Sequence, residues 1–226
     1  MSGITSKQTH TAVLATPGME EKMLRYARLL SDNRNADLHH IPIPAIAVAQ
    51  DEAVAVAEVR NLFSSTKLNL LLSEWMKSPR AMQNMIQLTR RRGVTGIFFR
   101  TGNGRKIGRI VVAVGGGPNL YEQLWLANVV AKHHRLPVAV LNWADGIRNT
   151  FSTSTPAIAD LEKISVQQLG MEIEILEYSG PSLVDAVLKH LRPDDLLVIG
   201  APVRCGWPPI LPDHCPTSLK NRRIIH

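Results

Sequence analysis

A run of three glycines is the part of this sequence whose residue types best suit chemistry. Gly115-Gly116-Gly117 is followed by Pro118-Asn119, a good start for a helix. Backbone N–H groups of such a run can surround an anion at a helix N-terminus, which would suit a phosphate or a carboxylate. A tight turn that needs the backbone freedom of glycine is the simpler explanation, and we favour it. The run also lacks the G-x-G-x-x-G spacing of dinucleotide-binding loops, because Leu120 stands where the third glycine would be.

Further candidate binding residues lie where two apolar runs end. Asn142 and Trp143 end the run 137–143, and Gly200 follows the run 195–199. If these runs are parallel strands, their carboxyl ends share one edge of a sheet, where such sheets bind ligands. The sequence therefore predicts a ligand-binding site composed of Gly115, Gly116, Gly117, Asn142, Trp143, Gly200, Ala201 and Val203.

No catalytic residue and no metal site is predicted. The sequence contains no G-x-S-x-G elbow, no H-E-x-x-H pair and no P-loop. His39-His40 and His133-His134 are adjacent pairs, and neighbours on a strand point to opposite faces, so neither pair chelates by itself. Cys205, His214 and Cys215 lack both the C-x-x-C spacing and a fourth ligand for zinc. We therefore expect a non-catalytic protein.

The elements that must position these residues repeat once along the chain, at an offset of about one domain length. The first half predicts strands over 11–16, 37–41, 68–72 and 94–99, with helices between them, including one from Ser78-Pro79 to Arg92. The second half predicts strands over 110–114, 137–143, 171–176 and 195–200, with helices that start at 118–119, 155–156 and 180–181. Asp194-Asp195, before the last strand, is interpreted as part of a turn.

This alternation predicts the fold class α/β, with two tandem Rossmann-like doubly wound parallel sheets of about four to five strands each. The expected domains are 1–105 and 106–226. Only Asn221 to His226 remains after a proline-rich tail, so a fifth strand of the second sheet would be a fragment, supplied by a neighbouring chain, or missing. An unpaired edge favours pairing between domains or subunits.

Composition and charge bound the class of protein. The 226 residues carry a net charge of +7, which favours anionic partners, a solvated basic surface being the alternative. Two cysteines indicate a reducing cytoplasm, and the first ten residues carry no hydrophobic signal region. The sequence contains no run of about 18 apolar residues, so no membrane span is predicted. No basic motif with interleaved aromatic residues occurs, so no nucleic-acid partner is expected.

Two segments of the second half carry a resemblance to a known family. Val111 to Asn119 and Asp195 to Pro202 resemble the corresponding segments of the universal stress protein family, and the tandem order is similar to paired stress-protein domains. The glycine run resembles in particular the soluble C-terminal regions of some amino-acid and cation transporters. The resemblance covers about residues 106–204, and in the first half it depends on the order of elements.

The resemblance implies an ATP site, from which this sequence departs. ATP-binding members have an aspartate after the first strand, then G-x-x-G and, nine residues later, glycine with a hydroxyl residue after the fourth. Here Gly115 replaces the aspartate, Gly200 matches the first loop glycine, Val203 replaces the second, and Asp213-His214 replaces the final pair. A degenerate nucleotide loop is therefore expected in 106–226, and 1–105 lacks a phosphate loop. No cofactor is expected, with ATP or AMP as the alternative.

The function that the resemblance implies is a non-catalytic regulatory or interaction module like the tandem stress-protein domain of membrane transporters. The alternative is a stress sensor that binds ATP, AMP or a cyclic dinucleotide. Implied partners are a second copy in a homodimer and a membrane transporter, as partner or parent. The basic residues Lys220, Arg222 and Arg223 suggest weak contact with an anionic membrane surface, which would place the protein in the cytoplasm at the inner face of the membrane.

Overall fold

The computed structural model describes residues 10–15, 18–33, 52–100, 106–114, 119–143, 158–179, 183–200 and 223–225. The chain divides into two compact units, Met1–Phe99 and Arg100–His226. Within the described ranges, every helix is too short or too polar to cross a lipid bilayer.

The first unit is a parallel sheet with helices. Its strands are β1 (His10–Leu14), β2 (Leu68–Glu74) and β3 (Thr95–Arg100), and β2 pairs in parallel with both β1 and β3. Its helices are α1 (Glu20–Asn33), α2 (Glu52–Ser65) and α3 (Pro79–Arg91). The predicted strand over 37–41 lies outside the described residues.

Local sequence signals explain where α3 begins and ends. The Ser78 hydroxyl accepts a hydrogen bond from the backbone N–H of Ala81 at 3.2 Å, and Pro79 occupies the first turn, where its missing N–H is not needed. Gly93 follows the helix with a φ of +65°, a conformation that favours glycine. The predicted start and stop of this helix are confirmed.

The second unit contains five described strands. They are β4 (Arg109–Val114), β5 (Val138–Trp143), β6 (Glu174–Tyr178), β7 (Asp195–Ile199) and β8 (Arg223–Ile225). Every pairing is parallel, and the spatial order is β8-β7-β4-β5-β6. The helices are α4 (Leu120–His134), α5 (Ile158–Glu162), which continues as a π-helix over Lys163–Gln168, and α6 (Leu183–His190).

Helices cover the second sheet on both faces. Residues of α6 such as Ala186 and Val187 pack with Val111 and Ala113 of β4 in one apolar cluster. Every residue of β4 is buried, so the alternate side chains are covered on the opposite face as well. Helix α4 contacts β4, β5, β7 and the π-helix. The chain is therefore an α/β protein with parallel sheets, Rossmann-like in kind.

Two elements of the second unit differ from the sequence prediction. The helix before β6 widens into a π-helix, where the buried Ser165 hydroxyl donates to the Leu161 carbonyl at 2.6 Å and competes for that acceptor. Met171 then stays bonded to this helix through the Ser165 carbonyl, so β6 begins at Glu174 rather than Met171. The fifth strand of the second sheet comes from this chain, because the short strand β8 pairs with β7.

A buried ion pair joins β4 to β7 at the amino edge of the sheet. Arg109 and Asp195 are register partners, and the guanidinium donates to both carboxylate oxygens, at 3.1 Å from Nε and 2.8 Å from Nη2. The Arg109 and Asp195 side chains are 7% and 0% exposed. The Asp195 carboxylate raises the pKa of Arg109 above its usual value. Asp195 is thus the first residue of β7 and also closes the turn before it, because its Oδ2 accepts a hydrogen bond from the Arg192 backbone N–H at 2.8 Å.

Candidate functional site

The order of strands in the second unit places a topological switch point at the carboxyl edge. From β4 the chain moves outward to β5 and β6, then returns to place β7 on the other side of β4. The connections that leave β4 and β7 therefore run in opposite directions, which makes this pair the topological switch point. Ligands of open parallel sheets bind at such a point, beyond the carboxyl ends of the strands.

Four residues form one row across this edge, which we call the edge row: Gly200, Val114, Asn142 and Glu177. Val114 is the register partner of Asn142, and Asn142 is the register partner of Glu177. The β4–β7 pairing ends at Ala113 opposite Ile199, so Gly200 is the next residue along, beside Val114. Register partners in a sheet point to the same face, so the edge row lines one face of four neighbouring strands.

Asn142 is the unusual member of the edge row. It is 6% exposed, and its Oδ1 has no hydrogen-bond partner among the described residues. A buried carbonyl without a donor costs about 1–3 kcal/mol, so folding alone does not favour an asparagine here. An unpaired buried acceptor at the ligand-binding edge of a sheet indicates a position where a ligand supplies the donor.

Gly200 leaves room for the side chain of Gln123. A Cβ built on Gly200 would lie 2.8 Å from Nε2 of Gln123, so the amide of Gln123 lies against the glycine backbone. Gln123 belongs to α4, which shows that the edge row faces this helix. The first residue before α4, Asn119, makes no side-chain capping bond. Because Gln123 lies in the first turn of α4, this turn and the partial positive charge of the helix N-terminus lie near the same edge.

The structure brings together two of the predicted site residues. Asn142 and Gly200 share the edge row, separated by one strand. Trp143 ends β5, and its backbone pairs with that of Tyr178. The predicted residues Gly115, Gly116, Gly117, Ala201 and Val203 lie outside the described residues.

Two residues with polar side chains at this edge were not among the predicted site residues. Glu177 is the second-last residue of β6 and is exposed. Its place at a strand end was visible in the sequence, but its register with Asn142 was not. Gln123 gave no sequence signal, because only the packing of α4 brings its amide to Gly200.

The edge row can contact a ligand through hydrogen bonds. The edge row offers an amide carbonyl and an exposed carboxylate, both hydrogen-bond acceptors, with the Gln123 amide beside it. Within the described part of the chain, no group of three or more His, Cys, Asp or Glu residues is placed to hold a metal ion.

Comparison with known proteins gives no family. No protein-family model matches the chain, and no curated protein matches it. Among solved structures, ornithine carbamoyltransferase from Gloeobacter violaceus is similar with 11% identity, a TM-score of 0.25 and coverage of 88% of this chain and 74% of that one. An uncharacterized protein from Bacillus cereus is similar with 9% identity, a TM-score of 0.25 and coverage of 84% and 59%. A ketoreductase domain from the bacillaene assembly line has 9% identity, a TM-score of 0.24 and coverage of 89% and 60%. Similarity at this level carries no functional inference.

Proposed function

We propose that this chain is a non-catalytic regulatory module of the universal stress protein type, which binds a small ligand at the carboxyl edge of its second sheet. The observation that carries the proposal is the unpaired Oδ1 of Asn142 in the edge row at the β4–β7 switch point. The proposed site extends the edge row by the segments that follow β4 and β7 in the sequence, including Gly115 to Gly117, Ala201 and Val203.

Two features of the second unit support the resemblance to stress proteins. The family ends its domain with a fifth strand, and β8 occupies that place beside β7. Gly200, which matches the first glycine of the family's loop, follows β7 directly at the switch point. The tandem arrangement, the homodimer, the transporter partner, the weak contact with anionic membrane surfaces and the cytoplasmic location all belong to this proposal.

A nucleotide sensor is the second candidate function. It is favoured by the switch point, because doubly wound parallel sheets commonly bind nucleotides there. The departures at Gly115, Val203 and Asp213-His214 argue against the triphosphate contacts that ATP-binding members of the family make. A sensor would therefore hold ATP, AMP or a cyclic dinucleotide through altered contacts.

Calorimetric titration of the whole chain with ATP, AMP and a cyclic dinucleotide tests both candidates, with chromatography of the recovered nucleotide as a check for turnover. A Val side chain at position 200 would displace the Gln123 amide, so Gly200→Val should weaken any binding at this edge. Gly170→Ala is the matched control, because Gly170 has a φ of +57° and no atom within 4 Å of a built Cβ. That control loses stability without touching the edge row.

The outcomes separate the candidates. Micromolar nucleotide binding that Gly200→Val abolishes and Gly170→Ala preserves would favour the sensor. Absence of nucleotide binding would favour the interaction module. Turnover of a nucleotide above background, lost in Gly200→Val, would contradict both and indicate an enzyme.

A further inference from the structure

We infer that Asn142 and Glu177 bind the vicinal diol of a pentose, either in a nucleoside or in a free sugar, so that the edge row recognises hydroxyl groups and not phosphate. This inference rests on the proposed function, since it names the ligand chemistry of the same edge.

The first argument is the donor and acceptor balance of the edge row. The Asn142 atom that lacks a partner is a carbonyl oxygen, which can only accept a hydrogen bond. An ionised Glu177 carboxylate is likewise acceptor-only. A ligand group that satisfies both must donate twice. Phosphate oxygens are acceptors and would place negative charge against the carboxylate, so a phosphate does not fit this pair.

The second argument is the spacing of the two acceptors. Asn142 and Glu177 are register partners on neighbouring strands, so their side chains leave the same face of the sheet. Strands lie about 4.8 Å apart, a separation that two hydroxyls on adjacent ring carbons can bridge by donating outward in two directions. Polar or acidic side chains at strand ends bind ribose hydroxyls in this way in other doubly wound sheets.

The third argument is the shape of the rest of the edge row. Val114 is 2% exposed and the Gln123 amide lies against Gly200, so the protein itself fills this half of the edge row. Glu177 is exposed at the other half, so the hydroxyls would approach Asn142 from the Glu177 side of the row.

The test is a titration of the full chain with adenosine, inosine, 2′,3′-dideoxyadenosine, ribose and inorganic tripolyphosphate, followed by calorimetry or by chemical-shift changes. Adenosine and inosine should bind with similar Kd, within about threefold, because the base amino group is not read. Loss of both hydroxyls should weaken binding at least about 10-fold, the equivalent of about 1.4 kcal/mol. Saturable binding of ribose alone would show that the free sugar suffices; ribose that fails to bind while adenosine binds would assign the nucleoside.

Variants identify the acceptors. Asn142→Leu and Glu177→Ala should each weaken adenosine binding by about 10-fold, and Glu177→Gln, which keeps a carbonyl acceptor, by less. Glu172→Ala is the matched control, since Glu172 is an exposed carboxylate that precedes β6 at the opposite end of the strand. It should leave the Kd unchanged.

Three results would overturn the inference. Dideoxyadenosine that binds as tightly as adenosine would show that the base is recognised, and tripolyphosphate that competes would show that phosphate is. In either case a loss of binding in Asn142→Leu would leave the proposed function intact. Absence of saturable binding by both adenosine and ribose would also refute the diol, whereas the proposed function is decided by the Gly200→Val titration and the turnover assay.

Discussion

The Asn142 amide should lower the stability of the ligand-free protein, and Asn142→Leu should therefore raise it. Leu has the same branched shape and number of heavy atoms as Asn, with larger methyl groups in place of the amide oxygen and nitrogen. The substitution removes a buried carbonyl without a donor, a defect worth about 1–3 kcal/mol. We expect the free energy of unfolding to rise by about that amount, and the melting temperature by about 2–4 °C for each kcal/mol.

Urea denaturation of the ligand-free chain, followed by circular dichroism, measures this change. Hydrogen exchange of the β5 amides assigns it to the second unit, because two units need not unfold together. Asn128 provides the comparison: it is also a buried asparagine, 7% exposed, whose Oδ1 likewise has no partner among the described residues, but its Nδ2 donates to the Leu169 carbonyl at 3.0 Å. Asn128→Leu removes the same kind of unpaired carbonyl but also loses that bond, so it should gain less stability than Asn142→Leu, by about 0.5–1.5 kcal/mol.

An Asn142→Leu variant that is no more stable than the natural chain would refute this reasoning. It would mean that the Asn142 carbonyl costs the ligand-free fold nothing. A saturating ligand gives a second check, since it should stabilise the natural chain more than it stabilises Asn142→Leu.

Three further predictions concern other residues. Arg109→Met should lower the free energy of unfolding by about 3–5 kcal/mol in a denaturant titration, because it leaves Asp195 buried without its cation. Ser78→Ala should cost about 1 kcal/mol in the same assay, since the first turn of α3 loses its cap. In an NMR titration, His134 should have a pKa below 6.5, lowered first by burial and then by the charge of His133, and His133→Gln should raise it part of the way. Because the folded-state pKa lies below the unfolded value, the His134 contribution favours folding above pH 6.5 and is lost as the pH falls through that window.

Controls keep these predictions specific. Arg25→Gln breaks an exposed ion pair with Glu21, one turn earlier in α1, and should leave stability unchanged within error, unlike Arg109→Met. Ser64→Ala removes a hydroxyl that only donates to the Arg60 carbonyl within α2, so it should not reproduce the loss in Ser78→Ala. A His134 pKa at or above 6.5 would contradict the stated direction.

Local signals in the sequence predicted most of the helices and strands because their causes are local. The Ser78-Pro79 start of α3 and the glycine that ends it need only neighbouring residues. The buried runs of β4 and β7 were equally clear, since strands covered on both faces are continuously apolar. The π-helix was not predicted, because the Ser165 bond that accompanies it is a detail of packing.

The candidate site was predicted only as far as the carboxyl edge. Asn142 and Gly200 were named because they end apolar runs, yet their common row depends on β7 pairing with β4, a contact between distant segments. The same long-range pairing explains why the ion pair of Asp195 was not predicted: its partner, Arg109, is 86 residues away. No local pattern contains such a pair.

That long separation has a consequence for the order in which the second unit folds. Strands β4, β5 and β6 follow one another along the chain. Closing the longer segment from Arg109 to Asp195 costs more loop-closure entropy than pairing these successive strands. We therefore expect β7 to dock after β4, β5 and β6, held by the ion pair, and β8 to follow it. The switch point exists only once β7 lies beside β4, so newly made chains acquire it late in folding, and a bound ligand would mark a chain that has passed this step.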